Sequence, residues 1–134
     1  DSNICRNYKL LTSIKGVGPI TAIVMLCSTL NFTKITDHRK FACYCGLAPF
    51  EHSSGTSVRG GCHTSSMANR DIKVQLNRSA LIAIRCDPQL KAYYERKVAE
   101  GKHKFSVLNA VRAKIAARCF AVVRRGTPYV ALQI

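Results

Sequence analysis

The chain has no tryptophan and only 7 acidic residues among its 134. These are Asp1, Asp37, Glu51, Asp71, Asp87, Glu95 and Glu100, spread too thinly to form the carboxylate cluster that two-metal catalysis needs. No segment offers the ~18 uninterrupted apolar residues of a membrane span, and none reads as a signal peptide. Nowhere does an apolar/polar alternation last five residues, so strands are not expected. Of the 7 cysteines, none belongs to a CxxC pair, and the number is odd. A disulfide framework and a closed zinc site are both poorly served by that pattern. The cysteines read as reduced thiols of a cytosolic protein, several of them on apolar helical faces where thiols act as small hydrophobes. A zinc domain on Cys43, Cys45, Cys62 and His63 is the remaining metal reading, with spacing that fits no standard pattern.

What is abundant is positive charge. Lys and Arg total 21, the net charge is +14 and the isoelectric point is about 9.9. Such an excess on a short chain favours a polyanionic partner, because neutralising phosphates releases counterions. With 47% hydrophobic residues the chain is long enough for one modest core. A single all-α domain over 1–134 is expected. It begins on Asp1 with an apolar pattern running by Ile4, which reads as a piece of a longer protein.

The helices are legible from caps and stripes. Residues 4–13 carry Leu10 and Leu11 inward. Ile14-Lys15-Gly16-Val17-Gly18-Pro19 then forms a tight turn before an apolar run to Leu30. Together they make a helix–hairpin–helix pattern over about 8–30, in which glycines 16 and 18 bare backbone N–H groups beside a helix N-terminus. Those groups, with Lys15, suit a phosphate without reading bases. A plain helical hairpin used as scaffold fits the same residues. Asp37 caps a short helix ending at Gly46. Three longer helices follow: Ser65 or Ser66 to Cys86, Asp87-Pro88 to Glu100, and about 105–125, ended by Gly126-Thr127-Pro128. Their stripes are Met67, Ile72, Leu76, Ala80, Ile84 and then Leu108, Val111, Ile115, Cys119, Val122.

Between the short helix and the first long one lies Ser53-Ser54-Gly55-Thr56-Ser57-Val58-Arg59-Gly60-Gly61, within a catalytic-type loop at 50–64. Its glycines allow close approach to a ligand, its hydroxyls offer nucleophiles, and Arg59 presents a fork matched to a phosphate. The same residues also make ordinary surface turns. Ser53 and Ser54 are the natural nucleophiles, with His52 and His63 flanking them. Arg59 and Arg70 suit the stabilisation of charge on a pentavalent phosphorus, or simple backbone contact. Tyr93-Tyr94 invites comparison with a tyrosine recombinase, but at mid-helix both are expected to pack on the core.

Taken in order, Leu11 to Ala22, Phe41 to Pro49, Ser53 to Gly60, Met67-Ala68-Asn69-Arg70 and Gly126 to Tyr129 resemble the C-terminal domain of the Piv/MooV-type insertion-sequence transposases. This is the IS one-ten, IS one-sixteen and IS nine-oh-two group. The resemblance runs from about residue 8 to 129. It implies a DNA recombinase whose N-terminal RuvC-like domain, absent here, carries four acidic residues and magnesium. It also implies a structured bridge RNA, assembly on DNA as a possible homo-oligomer, and a bacterial cytoplasmic, nucleoid-associated setting. No cofactor is expected in this piece. The family serine precedes a glycine in a Ser-Gly-x-Ser-Val-Arg-Gly pattern, which places the nucleophile at Ser54 with Ser57 and Arg59 beside it. The basic run that often follows is replaced here by Ser66-Met67-Ala68-Asn69-Arg70, so part of its charge is missing or moved. The alternative is a non-catalytic helix–hairpin–helix module that holds DNA or structured RNA.

Overall fold

The computed structural model describes residues 2–47 and 66–130, and among these the regular structure is wholly helical. The six helices are α1 (Ser2–Thr12), α2 (Pro19–Ser28), α3 (His38–Cys45), α4 (Ser66–Cys86), α5 (Pro88–Ala99) and α6 (Lys104–Arg125). The loop expected at 50–64 lies outside the described residues.

Local chemistry sets the boundaries. Asp37 accepts a bond from Arg39 N at 3.1 Å to open α3, and Gly46 closes it in the left-handed region at φ 71°. Asp87 accepts from Gln89 N at 2.9 Å and Leu90 N at 3.2 Å, while Pro88 fills the first position of α5, where no N–H is needed. α6 opens at Lys104, one residue ahead of the expected start at about 105. His103 caps that helix through Nδ1, accepting from Phe105 N at 3.2 Å, so Lys104 is already helical.

α4 and α6 form the centre. α2, α3 and α5 pack on α4, and α1, α3 and α5 pack on α6. Of the two expected stripes, Ile84 is half-buried and the side chain of Met67 lies outside what is described, while the other members point inward. Ile72, Leu76 and Ala80 of α4 are buried, as are Leu108, Val111, Ile115, Cys119 and Val122 of α6. Phe120 of α6 meets Phe41 of α3 at 5.4 Å and Phe32 edge-on at 4.9 Å between centroids.

The connection from α2 to α3 is the least ordinary piece of backbone. Leu30, Asn31 and Phe32 take φ of 49°, 57° and 62°, left-handed values that cost L-residues energy. Buried Thr29 compensates by donating to Met25 O at 2.7 Å and accepting from Phe32 N at 2.9 Å. Asn7 of α1 donates to Asn31 Oδ1 at 2.8 Å and ties the corner to the first helix.

Candidate nucleic-acid interface

The turn between α1 and α2 is built from the core outward. Ile14 and Val17 are buried and hold it down, while Lys15 is exposed at its tip. Val17 N donates to Ile14 O at 3.1 Å, closing the turn. The N–H groups of Lys15, Gly16 and Gly18 find no backbone acceptor among the described residues. Gly18 caps α2 without a side-chain bond, and Pro19 follows. The result is a set of unpaired donors beside a positive helix end, interrupted at Val17.

The two glycines are needed for different reasons. Gly16 has φ +96°, and a Cβ there would stand 2.7 Å from the backbone oxygen of Ser79 and 3.2 Å from the Ala83 side chain. Its bare α-carbon therefore faces α4 rather than open solvent, a demand of packing that spacing alone does not reveal. At Gly18 a Cβ would meet nothing within 4 Å. A buried hydroxyl pair, Thr21 Oγ1 and Ser79 Oγ at 3.1 Å, fastens α2 to α4 at the same junction.

Arg70 lies on the first half of α4, exposed and with no partner among the described residues. Nine positions separate it from Ser79, which on a helix is half a net turn and about 13 Å of rise. Arg70 thus leaves α4 on the face opposite the one that receives Gly16. The structure does not bring Arg70 together with Lys15, Gly16 and Gly18. Ser54, Ser57 and Arg59 lie outside the described residues, as do Cys62 and His63.

Sequence reasoning passed over the residues at the edge of that stretch. Asn109 Nδ2 donates to Leu47 O at 2.9 Å, fixing the last described residue before it. One turn along α6, Arg112 has a buried Nε with no hydrogen-bond partner among the described residues, and burial pulls its pKa down. Lys73 Nζ would lie 3.1 Å from a Cβ at Gly46, so an ammonium stands by the carbonyl end of α3. No local pattern marks these residues; they become neighbours only when α3, α4 and α6 pack.

Cys43 is exposed whereas Cys45 is buried, so these two thiols of the zinc reading point apart. Burial pushes the Cys45 thiol up to about 12, with Lys73 opposing weakly, and burial takes Cys119 to about 12 as well. Both stay protonated and behave as packing groups. No group of three His, Cys, Asp or Glu among the described residues is placed to hold a metal. No described helix is long and apolar enough to cross a membrane.

The profile of the transposase IS116/IS110/IS902 family matches residues 8–95. A protein of Streptomyces coelicolor named insertion element IS110 uncharacterized 43.6 kDa protein is 39% identical over 121 residues, which is 90% of this chain and 29% of that protein. The pilin gene-inverting protein of Moraxella lacunata is 26% identical over 126 residues, 92% of this chain and 39% of its own length. The insertion element IS900 uncharacterized 42 kDa protein of Mycobacterium paratuberculosis is 30% identical over 112 residues, 82% of this chain and 28% of its own length. The chain therefore spans well under half the length of the curated relatives it matches.

Proposed function

Because the chain belongs to the transposase IS116/IS110/IS902 family, we propose that it is the serine-bearing part of a DNA recombinase and that Ser54 is the nucleophile. One observation carries the reading. The match over 8–95 takes in the α1–α2 turn, the 53–60 stretch and Arg70 as one block. The name of the Moraxella relative, a gene-inverting protein, supports strand exchange as the chemistry.

In this reading Ser54 Oγ loses its proton and attacks a DNA phosphorus. A P–O ester bond breaks, the departing sugar oxygen takes up a proton, and a phosphoserine link holds the strand. Attack by the hydroxyl of an incoming strand reverses the step, so no oxidant or reductant is needed. Arg59, with Ser57 and Arg70, steadies the phosphate, and a pre-set guanidinium is the group suited to charge growing on phosphorus. Lys15 and the N–H groups of Gly16 and Gly18 hold the DNA backbone at the opposite face of α4.

The proposal extends to a RuvC-like domain that carries magnesium, a structured bridge RNA, assembly of several copies on DNA, and a bacterial cytoplasmic, nucleoid-associated setting. Three of this chain's 7 acids are engaged within the fold. Asp37 and Asp87 cap helices, and Glu100 meets Lys97 at 3.4 Å. The proposal takes the metal, and with it a proton acceptor for Ser54, from the other domain.

The deciding experiment traps full-length protein, its RNA and a DNA recombination site, followed by denaturation. A covalent adduct on the Ser54 peptide that disappears in Ser54→Ala, with DNA binding retained, is the expected result. An adduct that survives moves the nucleophile to Ser53 or Ser57. Strand transfer unchanged in Ser54→Ala would make the chain a non-catalytic module that holds DNA or structured RNA.

A further inference from the structure

A groove of about 750 Å³ opens between α5 and α6, apart from every residue assigned above. Its register is set by the helices. Gln89, Tyr93 and Arg96 recur along one stripe of α5, while Lys114, Ala117 and Arg118 recur along α6. Leu90, Ala92 and Ala117 give the groove an apolar floor. The Lys114 ammonium stands 4.7 Å, and the Arg96 guanidinium 5.7 Å, from the centroid of the half-buried Tyr93 ring.

The three cations of the groove differ in what they still lack. Arg118 is engaged, donating to Asp87 Oδ2 at 2.6 Å and to Gln89 Oε1 at 3.1 Å. Arg96 and Lys114 have no carboxylate partner among the described residues, and no acidic residue lines the groove. Two cations without a carboxylate partner therefore stand over an aromatic ring beside an apolar floor, where a stacking base would take the place of one of them.

That combination selects its ligand. A duplex offers phosphates but keeps the faces of its bases stacked away, which would leave the ring and the floor in water. A strand with unpaired bases offers both halves, a phosphate for each cation and a flat apolar face for Tyr93. Aromatic platforms within basic grooves bind single strands in this way, tolerant of sequence because every base has a π-face. We propose that the α5–α6 groove is a binding site for an unpaired nucleic-acid strand, separate from the α1–α2 turn and from the Ser54 stretch. This rests on the nucleic-acid reading above and adds to it a second surface and a strand class.

The test measures binding of this chain to labelled oligo(U) and oligo(dT) of about 12 nucleotides, within the span of single-strand grooves. A duplex hairpin DNA and a poly-glutamate peptide serve as comparison ligands. Ala117→Phe fills the floor and leaves the charge unchanged. Tyr93→Leu removes the ring, and Arg96→Ala with Lys114→Ala removes the cations. Both neutral substitutions are expected to weaken single-strand binding about tenfold, the scale of losing one stacked base, with duplex binding unchanged. The cation variant is expected to flatten the single-strand salt dependence by about 0.7 per cation. Equal losses for both oligomers assign the groove to either sugar, and a loss for oligo(U) alone assigns it to RNA. If Ala117→Phe and Tyr93→Leu, both folded by circular dichroism, leave single-strand binding intact, the proposal is overturned. Tight duplex binding with no single-strand binding removes the groove proposal and spares the nucleic-acid reading, whereas no binding to either removes both. Poly-glutamate binding that these variants abolish, with strands unaffected, would replace the strand by an acidic protein partner.

Discussion

At the scale of single residues, Gly16 and Gly18 look alike in the chain and differ in the fold. Gly16 combines φ +96° with a backbone oxygen 2.7 Å from where a Cβ would go. Gly16→Ala is therefore expected to cost about 2 kcal/mol or more, through strain and the retreat of α4. Gly18 has an ordinary φ of −93° and open space, so Gly18→Ala should cost no more than about 1 kcal/mol, the scale of a poorer N-cap. Urea unfolding of the two variants checks both values. Equal effects would mean that the turn does not rest on α4 as described. The sequence showed that this turn needs glycine, but not which glycine faces a helix, because Ser79 is far away in the chain.

At the scale of elements, the junction of α4, α5 and α6 depends on Asp87. The residue is buried, and burial alone would raise its pKa, but the Arg118 hydrogen bond and charge together with the Leu90 and Gln89 N–H groups outweigh burial and hold it below the usual carboxylate range. A lowered folded pKa means that the stabilisation is complete above the unfolded value of about 3.9 and is lost as pH falls through the lower folded value. Acid unfolding should accordingly steepen below about pH 4, and Asp87→Asn should blunt that dependence while lowering stability at neutral pH. Arg118→Met, which strands the carboxylate, is expected to cost about 3 kcal/mol. Denaturation midpoints across pH measure all of these. The cap was legible, since Asp-Pro before an apolar stripe is a helix start. The strut was not, because Arg118 lies thirty-one positions away.

At the scale of the whole molecule, a net charge of +14 sits on a helical body whose described ion pairs are few, Lys97–Glu100 and Arg118–Asp87. Most of the cations therefore remain for a polyanion. If about six phosphates are engaged, the logarithm of duplex affinity should fall with the logarithm of salt at a slope near −5. Titrations between low and physiological salt measure it, and a slope near zero would detach the charge from the function. The cations are also distributed. Arg70 and the α1–α2 turn occupy opposite faces of α4, and Arg96 and Lys114 border a groove on α5 and α6. On the function proposed above, these separated surfaces are expected to hold more than one segment of nucleic acid at once.

The sequence by itself determined the helical class, nearly every helix boundary and the buried stripes, because caps, glycines and a 3.6-residue period act between neighbours in the chain. It also carried the family, through ordered motifs that need no packing to be recognised. Tertiary structure alone decided what lies across helix interfaces: Gly16 against α4, Arg118 on Asp87, and the groove in which Tyr93, packed against the core as expected, also meets Lys114 and Arg96. Interactions at i+3 and i+4 can be read along a helix, but which helix faces which depends on the joint burial of all the stripes, and that is settled only when the whole chain has packed.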